Sequence, residues 1–219
     1  MHKSVKSEPR RRQILEAALQ VFSTSGFEAA TNKQIAGAAG IRSAGLIYHY
    51  FASKEDLLRG VIEHFSAPLR LLSQRDLMME SPPEIGLARF CDAWLEMAQD
   101  PIITRCRTVL IREAMRSPEL AETLGQIIGF RIRRSMAAYL AVKMEEGTLR
   151  RADPEAAAQC FLGPLASYLL MGTIFQPAAV PADQAASVAG GASIDNLVRL
   201  NLDVFLRGMR PEREEAPEG

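Results

Sequence analysis

The chain has 219 residues, of which 47% are apolar and 6% aromatic, enough for one large or two small domains around a sizeable core. Its 26 Lys and Arg balance 26 Asp and Glu, so net charge points to neither nucleic acid nor membrane. No early apolar run reads as a secretory signal, and none approaches the ~18 residues of a spanning helix, so a cytoplasmic protein is expected. Cys91, Cys106 and Cys160 are scattered with no CxxC, which fits free thiols in a reducing compartment. His2, His49 and His64 stand near no cysteine or carboxylate at ligand spacing, so no metal and no cofactor are assigned.

Charge is uneven along the chain. Residues 1–12 carry Lys3, Lys6, Arg10, Arg11 and Arg12 against Glu8, an electrostatic footprint for phosphate. Residues 1–8 read as a flexible basic arm. Pro9 suits a first helical turn. Ile14, Leu15, Ala18, Val21 and Phe22 then recur at three and four, which predicts an amphipathic helix. Gly26 stops it, and Phe27 is placed to fold back on its last turn.

The stretch Thr31 to Lys54, TNKQIAGAAGIRSAGLIYHYFASK, reads as two short helices around a tight corner and the start of a third. Thr31 and Gln34 have capping-box spacing. Gly40 ends the first helix, where a residue with φ > 0 is often needed. Arg42 or Ser43 opens the second, which runs through Ala44, Gly45, Leu46, Ile47 and Tyr48. Ser53 caps the next helix, with Asp56 at its third position. Small residues at the corner (Ala36, Gly37, Ala39, Gly40) let two helices cross closely, as in a helix-turn-helix. Arg42, Ser43, Tyr48, His49 and Lys54 are donors that the apolar corner does not need. Tyr48 is assigned to the groove side, whereas Tyr50 and Phe51 also fit as core aromatics.

GLIYHYFASKEDLL, preceded by TNKQIAGAAG and by a helix ending in FSTSGF, resembles the DNA-binding domain of the TetR family of bacterial transcriptional repressors. The resemblance covers roughly Arg10 to Glu63. It implies double-stranded DNA as partner, with Arg10, Arg11, Arg12, Thr31, Lys33, Arg42, Ser43, Ala44, Gly45, Leu46, Tyr48, His49 and Lys54 at the interface. Tyr48 and Lys54 fall where the family's phosphate contacts lie, and Ser43, Ala44 and Leu46 face base edges. One departure stands out. Four residues, Ile41 to Ala44, separate Gly40 from Gly45 where the commonest family pattern has three. The turn or the start of the recognition helix is one residue longer.

From Ser53 a longer helix carries Leu57, Leu58, Val61, Ile62 and Phe65, with a bend expected at Pro68. SPPE at 81–84 is a break. Helical patterns follow at about 84–99, 102–116 and 118–146, separated by Pro101 and Pro118 and closed by Gly147. Asp153-Pro154-Glu155 starts a helix to about Phe175, with Pro164 inside it as a predicted kink. Residues 176–192, rich in Ala, Pro and Gly, read as a long loop. Ser193 caps a final helix that Gly208 ends. No strand alternation stands out. The chain therefore reads as all-α: an arm at 1–8, a helix-turn-helix domain at 9–67, a helical effector-binding and dimerisation domain at 68–208, and an acidic tail at 209–219.

The last two helices are apolar around much of their circumference. They could be buried centrally within one chain or form an intersubunit face. The second is preferred, because the family resembled pairs these helices with their copies. Phe161, Leu165, Tyr168, Leu169, Leu197, Leu200, Val204 and Phe205 are the corresponding interface candidates. A homodimer lets one short recognition helix per chain read two half-sites of a palindromic operator. The resemblance also implies a small, mostly apolar effector. Phe90, Trp94, Met97, Met115, Phe130, Tyr139, Phe161, Tyr168 and Met171 are candidates to line its pocket, and each also fits as an ordinary core residue. An enzyme is disfavoured, since GxxxxGK[ST], HExxH and GxSxG are all absent. A DNA-binding architectural protein without an effector remains the alternative.

Overall fold

A computed structural model describes residues 7–74, 78–175 and 193–211. Lys3, Lys6, the loop expected at 176–192 and the tail beyond Pro211 lie outside the described residues. The helices are α1 (Ser7–Ser25), α2 (Asn32–Ala38), α3 (Gly45–Tyr50), α4 (Lys54–Phe65), α5 (Ala67–Ser73), α6 (Pro83–Gln99), α7 (Pro101–Ala114), α8 (Pro118–Leu124), α9 (Arg131–Glu145), α10 (Pro154–Phe175) and α11 (Ile194–Gly208). No strand occurs among the described residues, so the fold is all-α as read from the sequence.

Two compact units form. The first joins residues up to Arg70 with Glu96–Phe130, and the second joins Leu71–Leu95 with residues from Arg131 on. This grouping differs from a boundary at 67/68, and α1 explains why. Ile14, Leu15, Ala17, Ala18, Leu19, Val21 and Phe22 are all buried, more than one stripe of a helix can hold. α1 therefore needs cover on two sides. α2 and α4 supply one, and α7 supplies the other, adding Cys106 and Leu110 to the same core.

Three sequence expectations need correction. The helix from Ser53 does not bend through Pro68. α4 ends at Phe65, and Ser66 is extended (φ −81°, ψ 100°). The Ser66 hydroxyl accepts from the Leu69 amide (3.4 Å), so Ser66 caps a new helix in which Pro68 takes a first-turn place that needs no N–H. The 118–146 pattern is helical but not uniform. Gly125–Phe130 is a π-helical segment between α8 and α9. The recognition helix starts at Gly45 rather than at Arg42 or Ser43, as described below.

In the second unit α10 packs on both α9 and α11. Phe161 lies at its centre with no exposure, its ring 5.9 Å from Phe90 and 5.0 Å from Phe205. Tyr139 is also fully buried and donates its hydroxyl hydrogen to the Ser81 carbonyl (3.2 Å). Lys143 is buried but satisfied, donating to the Met79 carbonyl (2.7 Å) and to Glu146 (2.8 Å). In both units a buried thiol is held protonated. Burial pushes Cys91 and Cys106 up to about 12. Neither should react with a thiol-exchange reagent at neutral pH until the protein unfolds, since the thiolate is the nucleophile. At most one of the three cysteines then titrates in native protein. Fast reaction of two or more would contradict the packing.

Candidate nucleic-acid interface

The site is built in the first unit, from the corner upward. Thr31 opens α2 with a complete capping box. Its hydroxyl accepts from the Gln34 amide (3.2 Å), and the Gln34 side chain accepts from the Thr31 amide (2.8 Å). Gly40 ends α2 at φ +62°, as the sequence predicts. The Gly40 amide donates to Gly37 (3.1 Å) and the Ile41 amide to Ala36 (3.0 Å), the paired bonds of a Schellman ending. Gln13 of α1 completes it by donating to the Ala39 carbonyl (2.6 Å). Gln13 was missed in the sequence, because a lone amide beside an apolar stripe carries no signal of a partner 26 residues away.

The residue added between Gly40 and Gly45 lengthens the turn. Ile41 to Ala44 connect the helices, and α3 begins at Gly45 with Ala44 as a cap that has no side-chain bond. The first bonds, from Leu46 to the Ser43 carbonyl and from Ile47 to the Ala44 carbonyl (both 3.1 Å), are the tight three-residue kind. Arg42 and Ser43 are thus exposed turn residues, not helical ones. Ala44 is partly buried against the core, which places its methyl inward rather than toward a base edge.

α3 buries Ile47 and presents its other side. Tyr48 is 63% exposed and Leu46 36% exposed. Gly45 and His49 are also exposed, with the His49 ring edge-on to Tyr50 (5.4 Å). Phe51 is buried and Tyr50 packs partly on the core, so these two are core aromatics. Arg42 and Lys33 are exposed and make no bond to another described side chain. The Arg10–Arg12 run lies in α1. Arg10 donates to Gln13 (2.7 Å), Arg12 pairs with Glu16 (2.8 Å), and the Arg11 guanidinium sits over the Phe51 ring (5.1 Å). Exposed pairs of this kind are worth under about 1 kcal/mol and do not immobilise the cation.

Lys54 also makes contacts within the chain. Its ammonium donates to the Glu28 carbonyl (3.0 Å) and the Ala30 carbonyl (3.5 Å), and it lies over the Phe27 ring (4.7 Å). The residue is half-buried, and the bond to Glu28 is on the exposed side of the corner.

The two other candidate sets are also redistributed. Of the interface residues, Phe161, Leu165 and Phe205 are buried in their own unit's core, so they offer no surface. Leu200 (62% exposed) and Val204 (60%) do, and Leu170 (42%) and Met171 (49%) join them on α10. Tyr168, Leu169 and Leu197 are half-buried. Of the pocket candidates, Phe90, Tyr139 and Phe161 are close-packed core. Met97, Met115 and Phe130 belong to the first unit, and Met115 and Phe130 are exposed. Trp94 and Tyr168 meet edge-on in the second unit (6.3 Å).

A family model described as "Bacterial regulatory proteins, tetR family" matches residues 14–61, the whole of this corner with the helices that cover it. Another, described as "AefR-like transcriptional repressor, C-terminal domain", matches residues 86–207, more than half the chain. The chain belongs to the TetR family. Among curated TetR-family relatives it is similar to the HTH-type transcriptional regulator UidR of Escherichia coli K12, with 30% identity over 126 residues. That match covers 54% of this chain and spans 58% of UidR. Salmonella enterica GusR shares 25% identity at a TM-score of 0.63, over 94% of this chain and all of GusR. A SmeT–triclosan complex shares the fold at a TM-score of 0.67, with 20% identity over 96% of each chain. No helix among the described residues is long and apolar enough to cross a membrane.

Proposed function

We propose that this TetR-family regulator acts as a homodimeric repressor that binds a near-palindromic operator through α3 and is released by a small, mostly apolar effector. The observation that carries the reading is the outer side of α3 and its preceding turn. A helix of six residues leaves Tyr48, His49 and Leu46 facing solvent, next to an exposed cation, Arg42, that bonds to no other described side chain. Tyrosine hydroxyls and guanidinium groups are donors for phosphate oxygens, and an exposed apolar side chain can meet a thymine methyl. Arg10, Arg12 and Lys33 add positive charge on the same unit.

One recognition helix reads few bases, so specificity calls for two. Leu200, Val204, Leu170 and Met171 form the exposed apolar part of α10 and α11 and are proposed as the dimer contact. The effector reading draws support from SmeT, a protein of the same fold solved with triclosan. In this chain Trp94 and Tyr168, a buried and a half-buried ring that meet edge-on in the second unit, are proposed to contact the effector.

Selection from random duplexes tests the reading. The enriched sites should carry two inverted half-sites separated by one helical turn or a multiple of it, about 34–36 Å per turn. Light scattering of the protein–DNA complex should give two chains per site or a multiple of two. Enrichment of a single asymmetric half-site with one chain bound would refute it.

A further inference from the structure

The turn between α2 and α3 is tied to α1 by one side-chain amide. Gln13, half-buried on α1, donates from its Nε2 to the Ala39 carbonyl (2.6 Å) and accepts at its Oε1 from Arg10 (2.7 Å). Ala39 is the C-cap of α2 and is buried. The last carbonyls of a helix have no partner inside it and must find one outside. At this end the Ile35 carbonyl takes the Ala39 amide, Ala36 takes Ile41, and Gly37 takes Gly40. The Ala39 carbonyl lies beyond these bonds, and Gln13 supplies its donor. A carbonyl of a buried residue left without a donor carries a penalty, which gives the bond its weight.

The residue type at position 13 follows from its two neighbours. A guanidinium donates and does not accept, whereas a carbonyl accepts and does not donate. A side chain between them must therefore accept at one end and donate at the other. A carboxamide does both; a carboxylate or an ammonium does one. The same pair of neighbours fixes which way round the Gln13 amide sits. Arg10 is exposed, and its guanidinium has further N–H groups for a phosphate. Arg11 acts beyond the other end of α3, where its guanidinium lies over the ring of Phe51 (5.1 Å), the C-cap of that helix. α1 thus holds the chain on both sides of α3. A helix of six residues has little stability of its own, and Ala44 caps it without a side-chain bond, so its direction depends on such anchors.

We propose that Gln13 is a positioning residue for DNA recognition: it fixes the direction in which the chain leaves α2, and so where the turn presents Arg42 and where α3 presents Leu46 and Tyr48. Arg10 orients the Gln13 amide from the solvent side. The consequence for DNA rests on the reading of α3 as the recognition helix; the bridge itself does not.

The test uses the full chain with Gln13→Met, which keeps the length of the side chain and the net charge but removes both donor and acceptor. Gln13→Lys is the rescue variant, since an ammonium can donate to a carbonyl at the end of a helix. Hydrogen exchange is read first, without DNA. The Gly40 and Ile41 amides should exchange about tenfold faster in Gln13→Met and near the wild-type rate in Gln13→Lys, while amides of α9 and α10 keep their rates in both. Unchanged exchange at Gly40 and Ile41 in Gln13→Met overturns the bridge. Affinity is then measured for the selected duplex and for an unrelated one. Their ratio cancels the added charge of the lysine, which acts on both duplexes. The ratio should fall about tenfold in Gln13→Met and return to within about threefold of wild type in Gln13→Lys. A packing role alone would move the two variants together, so an equal fall in both overturns the assignment of a donor. A wild-type ratio in Gln13→Met, with exchange raised, overturns the positioning role. A wild type that selects no duplex refutes the DNA reading and the consequence drawn from it, while exchange at Gly40 and Ile41 still decides the bridge.

Discussion

Leu200→Asp combined with Val204→Asp should convert the protein to a monomer at micromolar concentration and cut specific DNA affinity by at least a hundredfold. The two side chains are 62% and 60% exposed and stand one turn apart on α11, so a single chain folds as well with Asp as with Leu or Val. In a symmetric dimer the same patch meets its copy, and four carboxylates then enter an apolar contact. Each charge removed from water without a partner costs several kcal/mol, more than a contact of this size can offset. DNA binding should change in a characteristic way. Non-specific affinity comes from phosphate contacts on each chain and should persist. Specific affinity needs both half-sites and should not. Light scattering and duplex titration on one preparation read both effects. A variant that stays dimeric would move the intersubunit contact elsewhere.

Gly26→Ala should be the most destabilising methyl that can be added to the DNA-binding unit. A Cβ at Gly26 would lie 2.1 Å from the Glu113 carboxylate oxygen, and the backbone there sits at φ +84°. The left-handed conformation alone costs a side-chain-bearing residue about 1–2 kcal/mol. Displacing Glu113 also breaks its bond to Phe27, a charged hydrogen bond worth about 1.5–3 kcal/mol. A loss of about 3–4 kcal/mol should lower Tm by roughly 6–16 °C for a chain of this size. Gly40→Ala supplies the comparison. It has a similar φ of +62° but nothing within 4 Å of the added atom, so only the backbone term of about 1–2 kcal/mol applies. Equal losses at the two glycines would mean that Glu113 does not occupy the place assigned to it.

The corner was legible because its signals are local. Thr31 with Gln34, Gly40, and Ser53 with Asp56 each fix a helix end within three or four residues, and all three act as the sequence implies. What failed depends on distance or on a competing local rule. Glu113 meets Phe27 across 86 residues, and no spacing announces that. The bonds of Lys54 to the Glu28 and Ala30 carbonyls span 26 and 24 residues, which no local pattern announces either. Pro68 in an apolar run predicts a bend, whereas Ser66 offers a cap two residues earlier and turns the proline into a starter. The π-helical segment at Gly125–Phe130 has a longer turn than an α-helix but only six residues, too few for periodicity to separate the two. Phe161 and Phe205 were indistinguishable from interface residues, because a helix apolar all round does not say which side meets its own chain.

The claim that the outer side of α3 and the turn before it bind DNA is tested most directly by Arg42→Ala and Tyr48→Ala. Both side chains are exposed, and neither bonds to another described side chain, so truncation should leave Tm within about 1–2 °C of wild type. Fluorescence anisotropy on the selected duplex should show each variant binding about tenfold more weakly, and Arg42→Ala should also lower the log–log salt slope by about 0.9. Wild-type affinity and slope in both variants, with folding intact, would contradict the assignment of this surface to DNA.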